Sequence, residues 1–181
     1  MKIVCSCLCL LLLNVSLFAY HTDNHESVFF TQEQAVLEIF PQSDRIENVE
    51  LALSNSALEA IENELGYALD HNQLQLIKIF KNDSLIGYGV ILNELGKHKP
   101  ITFFTGISVN FKIKDVVVMV YREKIGSDVR KKRFLKQFIN KSADDHITID
   151  DDIHGISGAT ISSWSIASGV RKALHLIQHF I

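Results

Sequence analysis

The chain has 181 residues, of which 47 % are hydrophobic, and a formal net charge of -3. This length suffices for one domain with a core, and the composition excludes a disordered chain and a protein with several membrane spans. The small net charge provides no global basic field, so no nucleic-acid partner is expected.

The first nineteen residues differ from the rest. Lys2 precedes an almost uninterrupted apolar stretch from Ile3 to Leu13, and residues 16–19 place small side chains at a cleavage-site pattern that ends at Ala19. This layout is typical of a secretory signal peptide, which predicts export to the periplasm or to the outer face of the cytoplasmic membrane. The alternative is an uncleaved membrane anchor, for which the apolar stretch is short.

The three cysteines, Cys5, Cys7 and Cys9, all lie in this leader. The mature chain is therefore predicted to contain no thiol, which excludes disulfides, cysteine-bound metals and thiol redox chemistry. A redox role would require a bound cofactor.

Residues 20–73 are predicted to form an N-terminal region of helices and one strand. Residues 20–30 are polar and are expected to be flexible or loosely docked. Capping-box patterns at Thr31 and Ser56 open two helices, which end near Phe40 and at Gly66. A strand is predicted between these helices, over residues 45–53.

Residues 74–181 are predicted to form the core of the domain. Residues 75–81 alternate in hydrophobicity, and three further apolar segments follow after short polar turns, over residues 85–93, 101–109 and 113–121. Three or four such consecutive strands indicate an antiparallel meander. A helix is expected over residues 128–140, with Leu135, Phe138 and Ile139 facing inward, and a last helix over residues 163–180. The predicted fold class is α+β, an antiparallel sheet flanked by helices in a single domain.

The most informative segment, residues 154–163, immediately precedes the last helix and is rich in glycine and hydroxyl side chains. Glycines allow close backbone approach to a ligand, and the free N–H groups of a helix N-terminus attract anions. A phosphate site fits this pattern, and so does an ordinary glycine-rich turn with Ser162 or Ser163 as helix cap. The segment is neither a nucleophile elbow, because Ala159 stands where that motif needs glycine, nor a nucleotide P-loop, because it has no lysine.

Ser157-Gly158-Ala159-Thr160, followed by Ile161-Ser162-Ser163, closely resembles the Ser-Gly-Ala-Thr motif of the FMN-binding domain family. That family includes flavin-carrying components of the sodium-translocating NADH:quinone reductase and of the Rnf electron-transport complex. In it, a magnesium-dependent flavin transferase moves the FMN half of FAD onto the threonine hydroxyl. The resemblance implies that Thr160 carries FMN through a phosphoester bond. It also implies that the phosphate is lined by Ser157, Gly158, Ala159, Ser162 and Ser163.

The resemblance extends over roughly residues 74–174. Residues 121–126 look like the Glu-x-x-Gly segment of the family, and residues 134–138 look like its Phe-x-x-Gln-Phe helix. It implies that the isoalloxazine ring or the ribityl chain is lined by Glu123, Gly126 and the glycine-interrupted strand Gly87-Tyr88-Gly89.

One position departs from the family pattern. The family motif usually has an acidic residue six positions before the threonine, where this chain has His154. Asp150, Asp151 and Asp152 lie just upstream and are candidates to replace it. The alternatives are FMN bound without the covalent bond and loading by a divergent transferase.

Three further features have both a functional and a structural interpretation. Trp164 lies off the apolar stripe of the last helix, where it could stack on the flavin, contact a partner or pack under a loop. The basic run of residues 130–133 indicates a solvated helix face or a docking patch for a partner or lipid headgroups. His175 and His179 have a spacing compatible with zinc, but a solvated face is favoured and no metal is predicted.

The expected function is that of an electron-transfer flavoprotein within a larger redox chain rather than a stand-alone enzyme. Its expected partners are the flavin transferase and membrane redox proteins, with FMN supplying the redox chemistry. Two alternatives remain, a non-covalent flavin-binding or sensory module and a secreted interaction domain that has lost the cofactor.

Overall fold

The computed structural model describes residues 25–49, 54–69 and 74–180. The predicted leader and the end of the strand predicted over residues 45–53 lie outside these ranges. The elements, in chain order, are β1 (Ser27–Val28), α1 (Gln32–Ile39), β2 (Arg45–Val49), α2 (Asn55–Leu65), β3 (Leu74–Lys81), β4 (Ser84–Leu95), β5 (Pro100–Ser108), β6 (Ile113–Tyr121), α3 (Lys132–Leu135) and α4 (Thr160–Phe180).

The six strands form one antiparallel sheet with the order β1-β6-β5-β4-β3-β2. Strands β3 to β6 are the predicted meander, each paired with the next along the chain. Both edge strands come from the N-terminal region, because β1 pairs with β6 and β2 pairs with β3. The prediction of a single α+β domain is confirmed.

The two faces of the sheet are covered by different helices. Helix α4 packs on β4 and β5, and α1 packs on the opposite face over β5 and β6. Side chains alternate along a strand, so Phe103 of β5 enters the α4 core while Phe104 enters the α1 core. Gly169 lets α4 approach, since a Cβ atom there would lie 2.4 Å from the Phe103 ring.

The last helix is longer than predicted. It begins at Thr160 rather than at Ser163, because the Ser163 N–H already donates to the Ala159 carbonyl at 2.9 Å. The predicted apolar stripe is confirmed, and its members are all buried: Ile166, Val170, Ala173, Leu174 and Ile177. No helix among the described residues combines the length and the apolarity needed to cross a membrane.

The C-terminal half of α4 packs against α2. His175 Nδ1 lies 2.6 Å from Glu64 Oε2, and His179 Nε2 lies 3.0 Å from the same oxygen. The prediction of a solvated face is wrong for His175, which is only 7 % exposed because α2 covers it. Within the described ranges, no group of three or more potential ligands is arranged to hold a metal ion.

The prediction of one continuous helix over residues 128–140 is wrong. A 3-10 turn over Ser127–Arg130, α3 and a second 3-10 turn over Lys136–Phe138 replace it. Lys131 has an extended backbone, with φ -74° and ψ 140°, and breaks the helix, and no side chain caps the start of α3. Leu135 and Phe138 are buried as predicted, but Ile139 is 38 % exposed.

Two N-terminal details also differ from prediction. Residues 27–28, expected to be loose, form β1 on the edge of the sheet. Helix α2 is capped by Ser54 rather than Ser56, since the Ser54 hydroxyl accepts from the Ala57 N–H at 3.2 Å. Gly66 ends this helix in the left-handed conformation, as predicted.

Thr105 of β5 carries a buried hydroxyl that has no hydrogen-bond partner among the residues that the structure describes. An unsatisfied buried hydroxyl destabilises the fold, so Thr105→Val is expected to raise the free energy of unfolding by about 1 kcal/mol. Urea unfolding measures this change. The matched control on the same strand is Thr102→Val, which should destabilise because the Thr102 hydroxyl donates to Asn93 at 2.6 Å and accepts from Arg122 at 2.8 Å. Equal effects of the two substitutions would contradict this account.

Candidate functional site

Thr160 is the first residue of α4 and lies, exposed, at a cavity of about 310 Å³. Three chain segments build this cavity: the β4–β5 turn, the stretch after β6 and the start of α4. The Ser165 hydroxyl donates to the Leu95 carbonyl at 2.7 Å and so ties α4 to the turn. The lining residues are Lys97, Glu123, Ile125, Gly158, Ala159, Thr160, Ile161 and Ser162.

Free backbone donors lie at this helix start. The N–H groups of Thr160, Ile161 and Ser162 precede the first helical hydrogen bond and therefore have no acceptor within the helix. The positive end of the helix dipole is at the same place, so an anion is stabilised there.

Gly158 leaves open space where the loop enters α4. It has a φ of +80°, which favours glycine, and a Cβ atom at this position would have no neighbour within 4 Å. The loop therefore turns into the helix without a side chain that would cover the free N–H groups.

Ser162 and Ser163, at the end of the motif, both form side-chain hydrogen bonds within the protein. The Ser163 side chain is fully buried, where it donates to the Ala159 carbonyl at 3.0 Å and accepts from the Ile156 N–H at 3.1 Å. The prediction that Ser163 lines a phosphate is therefore corrected, because this hydroxyl closes the loop onto the helix. Ser162 does line the cavity, but its Oγ lies 3.1 Å from the phenol oxygen of Tyr121.

Tyr121 links the end of β6 to the site. Its hydroxyl donates to the Ile125 carbonyl at 2.6 Å, which leaves Ser162 as a donor to the phenol oxygen. Burial, together with the charge of Glu123, raises the pKa of Tyr121 above its ordinary value. The phenol therefore remains a neutral donor that holds residues 121–125 against α4.

Glu123 organises the β4–β5 turn. Its Oε1 accepts from the backbone N–H of His98 at 2.5 Å and of Lys99 at 3.0 Å. Burial opposes the charged form, but these two N–H groups outweigh it and hold the pKa of Glu123 below its ordinary value. Glu123 lines the cavity, and its observed partners are the N–H groups of the turn.

Gly126 lies behind the cavity, where two segments meet. It has a φ of +90°, and a Cβ atom there would lie 2.8 Å from the Tyr121 hydroxyl and 3.1 Å from the Ala159 Cβ. Glycine is thus required twice, for the left-handed backbone and for the close approach of Ala159. Gly126 therefore allows Tyr121 and Ala159, which lie on the two segments that meet behind the cavity, to approach its backbone closely.

Ser157 faces a second cavity, of about 530 Å³, on the other side of the loop. Gln137 forms one wall and fixes the loop, since its side chain accepts from the His154 N–H at 2.9 Å and donates to the His154 carbonyl at 3.1 Å. His154 itself is exposed. The lining residues are Arg133, Phe134, Lys136, Gln137, His154, Gly155, Ile156 and Ser157.

Asp152, considered as a replacement acid for His154, anchors the loop that leads to the site. It accepts from Lys141 at 2.7 Å and from the N–H groups of Ile147 and Thr148 at 3.0 and 2.8 Å. Partial burial opposes its charge, but Lys141 and the two N–H groups outweigh burial and hold the pKa of Asp152 at about 2. Its carboxylate is therefore engaged in folding the loop.

Asp152→Asn is expected to lower the free energy of unfolding by about 2 kcal/mol, the equivalent of this pKa shift. The pKa is lowered in the folded state, so the stabilisation is present above the ordinary value of 3.8 and is lost as the pH falls towards 2. Urea unfolding at pH 7 and pH 3 measures it. The control is the exposed Asp144→Asn, which should change stability by less than about 0.5 kcal/mol. Equal losses from both variants would refute the role of Asp152.

The predicted flavin contacts of Gly87, Tyr88 and Gly89 are wrong. These residues are buried near the opposite end of β4, roughly 20 Å along the strand from the β4–β5 turn. A Cβ atom at Gly87 would lie 2.5 Å from the Phe40 ring, and one at Gly89 would lie 2.2 Å from the Phe104 ring. The glycines accommodate these core aromatic rings.

Exposed apolar side chains border the Thr160 cavity. Trp164 is 46 % exposed and Ile161 is 47 % exposed, and both follow Thr160 in the first turns of α4. Trp164 is four residues after Thr160, a spacing that places the two side chains on one helix face. Ile125 is 78 % exposed and lines the same cavity. Lys97, Ile125 and Ile161 were not predicted as site residues. Only tertiary structure brings Lys97 and Ile125 to the motif, whereas Ile161 directly follows Thr160 in the chain.

The residues present fit the phosphate end of FMN. The exposed Thr160 hydroxyl can form an ester, while free N–H groups and the Lys97 ammonium can stabilise the remaining negative charge. Ile125 and Ile161 offer apolar surface for a ring, and the cavity volume lies at the lower end of the range of about 300 to 1,000 Å³ for ligand sites.

Comparison with curated proteins finds no match to this chain. The model of the FMN-binding domain family matches residues 96–175, a range that includes β5, β6, the whole Thr160 site and most of α4. This match supports the assignment of residues 96–175 to the FMN-binding domain family.

Proposed function

We propose that Thr160 carries FMN through a phosphoester bond, and that the protein is an exported electron carrier in a membrane-associated redox chain. The observation that carries the proposal is the exposed Thr160 hydroxyl, at a helix N-terminus with free N–H groups, inside an FMN-binding domain. When bound, FMN would supply one- and two-electron transfer, which the chain's own residues cannot.

The chain would contact FMN at both of its ends, the phosphate and the ring system. Thr160 would supply the ester oxygen, and the N–H groups of Ile161 and Ser162 with Lys97 would stabilise the phosphate charge. The positions of Ile125 and Trp164 suit apolar packing against a ring system. Tyr121 and Glu123 would act through the backbone, by fixing the segments that form the walls.

Attachment would require a separate enzyme. Among the residues that line the cavity, Glu123 is the one carboxylate, and it is engaged by the turn, so none is placed as a base for Thr160. In the proposed transfer, the Thr160 oxygen forms a bond to the phosphorus on the FMN side of FAD. The pyrophosphate bond breaks, AMP leaves, and the hydroxyl proton is released to a base of the magnesium-dependent flavin transferase.

Co-expression with a flavin transferase tests the proposed attachment. The intact mass of the purified protein should rise by the mass of FMN less one water, and the protein should stay yellow after denaturation. Without the transferase, the mass should equal that of the polypeptide. A yellow protein that loses its colour on denaturation would instead identify a non-covalent flavin protein, and a colourless one would favour the interaction domain.

Membranes from the source cell test the proposed electron-carrier role. The attached flavin should be reduced when NADH or another respiratory donor is added to membranes together with the loaded protein, and absorbance near the flavin maximum should fall. The control omits membranes. Flavin that stays oxidised with every respiratory donor would favour the sensory alternative over the carrier.

Export is tested by the N-terminus of the protein recovered from its native cell envelope. The proposed cleavage after Ala19 predicts that the mature chain begins at Tyr20 and contains no cysteine. N-terminal sequencing decides the matter. A start at Met1 would contradict cleavage and support the membrane anchor.

A further inference from the structure

Exposed cations lie at the Thr160 cavity, at the neighbouring cavity and in the segments beside them. Lys97 lines its cavity, and Arg133 and Lys136 line the neighbouring cavity that contains Ser157. In the sequence, Lys124 directly precedes the cavity residue Ile125, and Lys131 directly precedes α3. We call this group of five residues the basic rim: Lys97, Lys124, Lys131, Arg133 and Lys136.

The rim contrasts with the negative charge of the whole chain, which is -3. Among the described residues lining the two cavities, Glu123 is the one carboxylate, and it is 7 % exposed. Asp128 pairs with Lys131 at 2.6 Å and with Arg133 at 3.1 Å, and thus offsets one charge of the rim. Without Lys124, the four other cations of the rim still exceed the one carboxylate of Asp128, so an excess of positive charge remains at this end of the molecule.

Carboxylates are concentrated elsewhere. Helix α2 packs on the C-terminal half of α4, roughly 20 Å along the helix from Thr160, and it carries Glu59, Glu62 and Glu64. The loop over residues 144–152 is also acidic and holds five aspartates, of which Asp151 and Asp152 pair with His146 and Lys141. Positive charge is therefore concentrated at the Thr160 end of the molecule, and negative charge is concentrated away from it.

The centre of the rim is apolar. Ile125, Ile161 and Trp164 are 78 %, 47 % and 46 % exposed. A small apolar centre with a charged rim is the arrangement of transient electron-transfer interfaces, in which rim charges set the rate and orientation of encounter.

We propose that the basic rim docks an acidic redox protein, whose carboxylates surround its own redox centre. This inference rests on the proposed electron-carrier function and specifies the chemistry of the partner. A phosphoester would carry one negative charge, which the helix N-terminus and Lys97 offset, so the rim keeps an excess of positive charge towards a partner. The occupant is a protein rather than a lipid surface, because a membrane on this face would cover the cavity that a redox partner must reach.

Binding of an acidic [2Fe–2S] ferredoxin, used as the probe, tests the rim without requiring flavin. We expect the chain to bind the ferredoxin at low ionic strength, measured by calorimetry, and binding to weaken steeply as salt is added. The triple variant Lys131→Gln/Arg133→Gln/Lys136→Gln should weaken binding about tenfold at low salt. A basic cytochrome c should bind weakly to the wild type.

The matched control removes three cations at the opposite end of the sheet. Lys78, Lys81 and Lys112 lie on β3 and in the β5–β6 turn, away from the Thr160 cavity. Their triple glutamine variant makes the same change in net charge and should weaken ferredoxin binding less than about twofold. Equal losses in the two triple variants would show a net-charge effect and overturn the proposal. Circular dichroism confirms that both variants are folded.

Two further arms identify the kind of partner. Vesicles with and without phosphatidylglycerol test the membrane: rim-dependent binding to the anionic vesicles, without ferredoxin binding, would overturn the protein-partner proposal. The ferredoxin measurement is made on protein with and without attached flavin. Rim-dependent binding by both forms supports the docking surface even if Thr160 is not flavinylated, and a flavinylated protein that does not bind ferredoxin overturns the docking surface and leaves the proposed attachment standing.

Discussion

Thr160→Ala is expected to abolish the addition of flavin mass completely and to leave the domain folded. The substitution removes the hydroxyl that would form the ester. The side chain is exposed and no hydrogen bond of the described structure depends on it, so the free energy of unfolding should change by less than about 0.5 kcal/mol. Intact mass after co-expression with the transferase measures attachment, and urea unfolding measures stability.

Neighbouring hydroxyls provide the controls for this experiment. Ser157→Ala removes another exposed hydroxyl of the motif and should retain full attachment, and Thr160→Ser should retain part of it because an oxygen remains. Peptide mapping that finds the flavin on Ser157 or Ser162 would show the assignment to Thr160 to be wrong. If the wild type is not labelled by an active transferase, His154 is the residue to change, and recovery of labelling by His154→Asp would identify it as the cause.

Gly126→Ala is expected to have the largest effect on stability of any single methyl addition near the site. The left-handed φ of +90° costs an L-residue about 1 to 2 kcal/mol, and the added Cβ would contact the Tyr121 hydroxyl at 2.8 Å. We expect a total loss of about 3 kcal/mol, with displacement of residues 121–126 from Ala159. Urea unfolding gives the loss, and the yield of attached flavin reports on the site.

Two other glycines separate backbone strain from crowding. Gly66 and Gly158 have φ values of +82° and +80°, and a Cβ atom at either position would have no neighbour within 4 Å. Their alanine variants should therefore lose about 1 to 2 kcal/mol, the backbone cost without the contact. A loss at Gly126 no greater than that at Gly66 would show that the approach of Ala159 and Tyr121 does not matter.

The sheet and the long helix were predictable because local pattern determines them. Strand β3 alternates in hydrophobicity, β4 to β6 are rich in apolar residues with short turns between them, and α4 has a continuous apolar stripe. The segment over residues 128–140 was predicted to be one helix because its inward-facing Leu135 and Phe138 have helical spacing. The backbone is interrupted at the extended Lys131, which is one of four adjacent cations.

The site was predictable only in part. The motif pointed to Thr160, the resemblance to the Glu-x-x-Gly segment pointed to Glu123, and both residues line the cavity. Lys97 is brought there by the β4–β5 turn, and the sequence does not show that this turn lies next to the motif. The glycines of β4 were wrongly predicted to contact the flavin, and the reason is general. Glycine in a strand indicates close approach of some group, and sequence does not distinguish a ligand from a core ring such as Phe40 or Phe104.

The small, open cavity at Thr160 has a consequence for how a flavin would stay in place. A recess of about 310 Å³ gives a ring system few contacts, so affinity for free FMN should be low. A tether through Thr160 changes this, because it keeps the ligand at a local concentration on the order of millimolar, at a fixed stoichiometry of one. Occupancy would then be independent of dilution, and the recess could leave one edge of the ring uncovered for electron exchange without losing the cofactor to the surrounding medium.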